Sequence, residues 1–112
     1  MMEKDPLEIK LPEIIEEEDV EVKNIPQYHV ILLDDDEHTY EYVIEMLVKI
    51  FGHSESAALN MAMEVDGKGR VVVNTTFKER ADHNRRQIEG YGPDWRIAHS
   101  SGSMSAYIEP AE

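Results

Sequence analysis

Apolar positions along this 112-residue chain follow two different periods, and the change from one to the other marks out its elements. From Gln27, the residues Tyr28, Val30 and Leu32 alternate with His29, Ile31 and Leu33. Both sets are largely apolar, which predicts a strand with one face deeply buried and the other mostly covered. The carboxylates Asp34-Asp35-Asp36 end it, because consecutive charges cannot enter a core. The period then becomes helical: Tyr40, Val43, Ile44, Leu47, Ile50 and Phe51 fall on one stripe. Asp36, His38 and Thr39 each have the chemistry to cap this helix, and Gly52 stops it. Ser54 caps a second helix whose inner face is Ala58, Met61, Ala62 and Val65. Asp66-Gly67-Lys68-Gly69 reads as a turn, and residues 70–75, rich in β-branched side chains with Val71-Val72-Val73 at the centre, as a strand. A polar third helix is expected over residues 78–91, with Ala81, the Arg85 stem, Ile88 and Tyr91 inward. A loop over 93–103 carries the only tryptophan, Trp95, and residues 104–108 form a short last strand. The order β-α-α-β-α-β predicts an α+β domain, a small three-stranded antiparallel sheet with three helices packed on it.

Residues 1–25 follow neither period. They are rich in carboxylates, as in Glu16-Glu17-Glu18-Asp19, and are expected to form a disordered acidic tail ahead of a core over 26–112. Charge sharpens the picture. With 24 acidic against 11 basic residues and a net charge of −13, the chain repels phosphate backbones and suits a cationic partner. The absence of cysteine excludes disulfides and thiolate metal sites. No apolar run approaches the roughly 18 residues of a membrane span, and the charged segment MMEKDPLEIK has no apolar signal region. A cytoplasmic location is expected.

Candidate chemistry concentrates at Asp34-Asp35-Asp36-Glu37-His38. Carboxylates and an imidazole at a strand-to-helix junction can cap the helix, receive an ammonium group through charge-assisted hydrogen bonds, or hold a metal. Spacing leaves the three open, although the run lacks the glycine and ligand spacing of a calcium loop. No histidine pair has the i, i+4 spacing of a helical zinc site, and Ser100, Ser101, Ser103 and Ser105 read as a serine-glycine loop. Tyr40, Val43, Met61, Ala62, Val65 and Met104 are core residues by periodicity. Opening instead as a pocket beside the acidic loop, they would take an apolar group joined to a positive charge. Such a group is a protein N-terminus with a large first side chain.

The stretch from Val30 to Ile44, with Asp34-Asp35-Asp36 leading into the helix of Tyr40 and Val43, resembles the signature of the ClpS family of Clp protease adaptors. The likeness continues through Leu47, Phe51, Ala58, Val65, Gly69, Phe77, Glu79 and Ala81, and covers about residues 27–111. The ending Gly102-Ser103-Met104-Ser105-Ala106-Tyr107-Ile108-Glu109-Pro110 resembles the longer C-terminus of one branch of that family. The resemblance implies a monomeric adaptor without catalytic residues or cofactors. Such an adaptor binds substrates with a bulky hydrophobic N-terminal residue and delivers them to the Clp AAA+ unfoldase and its protease, docking on the unfoldase N-terminal domain.

Position by position, the resemblance puts the amine ligands at Asp34, Asp35 and Asp66. It puts the side-chain pocket at Leu32, His38, Tyr40, Val43, Ala62, Val65 and Met104, and the unfoldase contact at Glu79 and Asn84. Asp34 stands where asparagine is usual in the family and Asp66 where histidine is usual. Tyr40 and Ala62 stand where methionines are common, and Asn84 where lysine is frequent. The competing expectations are an interaction module of similar topology without amine binding, and a small metal-dependent enzyme built on Asp34–Asp36 and His38.

Overall fold

The structure, a computed structural model, describes residues 25–112. Of the acidic tail expected over 1–25, residues 1–24 lie outside the described residues. The elements are β1 (Gln27–Leu33), α1 (Tyr40–Phe51), α2 (Glu55–Lys68), β2 (Arg70–Phe77), α3 (Lys78–Glu89) and β3 (Ala106–Pro110). This is the predicted α+β order. β1 lies at the centre of a three-stranded sheet, antiparallel to both β2 and β3. Its central place explains the apolar character of both its faces. Val30 and Leu32 enter the main core, while Ile31 is equally buried, flanked in register by Val72 and Tyr107. The register with β2 shifts between Val30 and Ile31, so that Asn74 and Val72 face successive residues of β1.

Local chemistry accounts for the helix ends. Of the three cap candidates for α1, Thr39 takes the place, and its hydroxyl accepts from the Tyr42 N–H at 3.1 Å. Ser54 caps α2 in the same way. Gly52 and Gly69 close the two helices at φ +75° and +86°, a left-handed conformation that L side chains adopt only under strain. α2 runs further than the sequence suggests. Asp66, Gly67 and Lys68 remain helical and Gly69 alone makes the turn, so Asp66 sits on the last turn of a helix.

Two other boundaries move. The sheet pairing carries β2 on to Phe77, opposite Gln27. β3 begins at Ala106 rather than 104, because Met104 turns into the core, 3 % exposed, instead of pairing. On α3 the inner face is Ala81, Asn84 and Ile88. Arg85 is half-buried, and its guanidinium lies outward, paired to Asp82 at 2.9 Å and Glu89 at 2.6 Å. Asn84 takes the interior place, 4 % exposed, receiving a hydrogen bond from Asn74 and donating one to Gln87. A buried amide is tolerated there because its hydrogen bonds are met.

Candidate functional site

The end of β1, the start of α1 and the end of α2 meet at one side of the core. β1 delivers Asp34, whose N–H donates to the Gly69 carbonyl at 3.0 Å and so ties the acidic loop to the end of α2. α1 starts a few residues later and α2 finishes beside it. Between them lies a cleft of about 50 Å³. Val43 of α1, Ala62 and Val65 of α2, and Met104 form its apolar lining, while Asp34, Asp35, His38, Thr39, Tyr40 and Asp66 supply its polar side. Helical spacing puts Ala62, Val65 and Asp66 on adjoining positions of α2, so one helix carries both apolar and charged parts of the wall.

Nine of the ten predicted amine and pocket positions therefore line one cleft. Leu32 is the exception. It is wholly buried within the core and does not reach the cleft, because a residue of the central strand is covered by the helices before the cleft begins. Thr39, which caps α1, lines the cleft although only its capping role is legible in the sequence. Glu79 is exposed on the first turn of α3. Asn84 is buried, so its side chain offers no surface to a partner.

The carboxylates differ in their surroundings. Asp35 is held in place from two directions: the Glu37 N–H donates to it at 3.0 Å, and His38 Nδ1 lies 2.7 Å from the same oxygen. His38 Nε2 lies 2.7 Å from the Gly102 carbonyl, which can only accept, so Nε2 carries hydrogen. His38, with its side chain 2 % exposed, is a strut joining the acidic loop to the 91–105 segment. Asp66 Oδ2 accepts from the Tyr40 hydroxyl at 2.7 Å. That hydrogen bond, with partial desolvation and the charges of Asp66 and Asp34, raises the Tyr40 phenol above its ordinary pKa. The Asp34 carboxyl is also raised, chiefly by burial. The charges of Asp66, Asp35 and Asp36 add to the shift, and a hydrogen bond from the Asp35 backbone opposes it. Among the described residues no three His, Cys, Asp or Glu side chains converge as a metal ion would require.

Nothing in the local sequence pattern points to Asp94. It is 1 % exposed, and one carboxylate oxygen accepts from Thr39 N–H at 2.7 Å and Thr39 Oγ1 at 2.8 Å. The other accepts from the Arg96 N–H and guanidinium. Burial alone would raise its pKa, but these hydrogen bonds prevail and bring it to about 2. Arg96 also reaches Glu45 of α1 at 2.9 Å, so the loop is clamped to the first half of α1. Ser100 accepts from the Asp94 N–H and Ser103 from the Gly92 N–H, which gives these serines a role in the loop itself. Trp95 points away, 82 % exposed, with the Arg96 guanidinium 4.6 Å from its ring.

A small α+β fold with a cleft of apolar floor and carboxylate rim defines a binding module. The model of the family described as ATP-dependent Clp protease adaptor protein ClpS matches residues 23–93, and the chain belongs to that family. A ClpS adapter from Nautilia profundicola is 40 % identical over 57 residues, 51 % of this chain and 59 % of the relative. One from Nocardia farcinica is 25 % identical over 87 residues, 78 % of this chain and 76 % of its own length. The chain is also 40 % identical over 72 residues to the E3 ubiquitin-protein ligase ubr-1 of Caenorhabditis elegans, covering 63 % of this chain but 4 % of that protein. The structure of Agrobacterium tumefaciens ClpS2 bound to L-phenylalaninamide superposes with a TM-score of 0.65 at 25 % identity, over 76 % of this chain and 96 % of the other. No described helix is long and apolar enough to cross a membrane.

Proposed function

We propose that this protein is a cytoplasmic, monomeric adaptor, without catalysis of its own, that binds substrate proteins by a bulky hydrophobic N-terminal residue and delivers them to a Clp AAA+ unfoldase. The observation that carries the reading is the juxtaposition in one cleft of Val43, Ala62, Val65 and Met104 with the carboxylates Asp34, Asp35 and Asp66. A protein N-terminus is complementary to both parts. Its ammonium has three hydrogens to donate, and its first side chain is apolar. L-phenylalaninamide, to which the similar Agrobacterium protein is bound, has the same two parts, a free amine and a benzyl group. Delivery requires contact with the unfoldase, for which exposed Glu79 is the candidate on the folded core and the acidic N-terminal segment the candidate handle. Asn84 is withdrawn from that contact by its burial.

The test is a titration with a Phe-initiated or Leu-initiated peptide against the same peptide N-acetylated. Acetylation removes the charge and leaves the carboxylates without their donors, at a cost of about 2–4 kcal/mol. Equal affinity for the two peptides rules the reading out.

A further inference from the structure

Tyr40 is the first residue of α1, yet its hydroxyl reaches across to Asp66 in the last turn of α2 at 2.7 Å. The side chain thus bridges the two helices whose facing residues form the cleft. Two consequences follow from the geometry. First, one oxygen of Asp66 already has a donor, and a carboxylate oxygen so engaged is a poorer acceptor for an ammonium. Second, the phenol ring limits the room: the cleft measures about 50 Å³, against the 150 Å³ or so of a cavity that accepts a benzene ring. With Tyr40 as it stands, the cleft can enclose only part of a Phe or Trp side chain. Tyr40 is also 41 % exposed, so its ring can rotate to solvent without uncovering the core.

We propose that the Tyr40 hydroxyl is an internal competitor for Asp66, displaced by the ammonium of an incoming N-terminus, and that the same rotation opens the cleft to a bulky first side chain. Tyr40 is on this account a specificity-determining residue that makes charge recognition and pocket opening one event. A ligand with a large apolar group but no ammonium leaves the Tyr40–Asp66 hydrogen bond standing and meets a closed cleft. A small amine breaks that bond without gaining the apolar contacts. The proposal rests on the amine-binding reading above and adds to it the residue that sets its threshold.

The test removes the hydroxyl and keeps the ring. Tyr40→Phe should bind a free Phe-initiated peptide about threefold to tenfold more tightly than the parent, the net worth of one hydrogen bond. Its affinity for the acetylated peptide should rise as well, because no hydrogen bond then holds the ring across the cleft. A measurement without peptide checks the bond directly: in protein labelled with ¹³C at tyrosine, the Tyr40 resonance, assigned by its loss in Tyr40→Phe, should titrate at lower pH in Asp66→Asn than in the parent. A parent that holds free and acetylated peptides equally refutes the amine reading and the competition with it. A parent that discriminates, paired with a Tyr40→Phe variant of unchanged or weaker affinity, refutes the competition alone. An unmoved Tyr40 titration in Asp66→Asn refutes the hydrogen bond on which the competition depends.

Discussion

At the scale of single residues, the cleft is governed by how much space Ala62 leaves and by which carboxylates already have partners. Ala62 is 1 % exposed and shares the cleft wall with Val65, so any larger side chain there projects into the space a ligand needs. Ala62→Trp is expected to weaken binding of Phe- and Trp-initiated peptides by about 1–3 kcal/mol, with the folded state retained. Calorimetric titration of parent and variant checks it, and equal affinities would place residue 62 outside the binding space. Asp94 makes a prediction about stability. Its folded pKa of about 2 lies below the ordinary value of 3.8, so the ionised form is favoured in the folded protein. The stability this contributes is complete above about pH 4 and is lost as pH falls through the folded value. Asp94→Asn leaves the Arg96 guanidinium and the Thr39 hydroxyl and N–H with a weaker acceptor, for a loss of about 1.5–3 kcal/mol at pH 7. Denaturant unfolding between pH 6 and pH 2 should show the parent falling toward the variant as the pH reaches the lower limit. Parallel curves would mean that the carboxylate contributes nothing as an anion.

At the scale of elements, the site is a product of helix ends. Thr39 caps α1 and at the same time meets Asp94, so the start of the helix and the 91–105 loop are fixed by one residue. Gly69 ends α2 at φ +86°, and its carbonyl receives the Asp34 N–H, so the same residue that turns the chain also seats the acidic loop. Gly69→Ala has open space for its methyl group, but it must hold a left-handed backbone at a cost of about 1 kcal/mol. The expected outcome is a lowered unfolding midpoint together with weaker peptide binding, since any relaxation of φ shifts Asp34. A variant that loses stability but keeps full affinity would show that the loop is held by His38 and Asp35 without help from Gly69.

At the scale of the whole molecule, the folded core from Ile25 onward carries its own sheet, helices and cleft, and every described contact at the site is made within it. Removing residues 1–24 is therefore expected to leave peptide affinity unchanged within about twofold, because the described residues by themselves build the cleft. The same truncation is expected to impair degradation of an N-degron substrate by the unfoldase and protease, if the acidic segment is the handle that the machine engages. Affinity by titration and degradation by loss of a fluorescent substrate separate the two effects. A truncated protein that fails to fold, or one that supports degradation at the parental rate, contradicts this division of labour. The net charge of −13 bears on the same scale, since it favours cationic partners through an attraction that salt screens.

How much of this was legible in the sequence depends on the range over which each feature is decided. Element order, the caps at Ser54 and Gly52, and the placing of Val43, Ala62 and Val65 on inner faces follow from periods of two and 3.6 residues, which act within a few positions of one another. The acidic loop with Asp34 and Asp35 was legible for the same reason, and the family signature added Asp66. Depth and partnership were not legible. Leu32 is submerged because β1 became the central strand, and Asn84 is buried because Asn74 of β2 stands opposite it. Thr39 won the cap over Asp36 and His38 once Asp94, 55 residues away, held its N–H and hydroxyl. His38 reaches Gly102 across 64 residues, and Tyr40 reaches Asp66 across 26. A hydrogen bond needs two atoms within about 3 Å, and no local pattern encodes that distance between residues so far apart along the chain. The chain's own periodicity therefore determined the elements and their inner faces, and the tertiary structure alone decided which of those residues open onto the cleft and which are already spoken for.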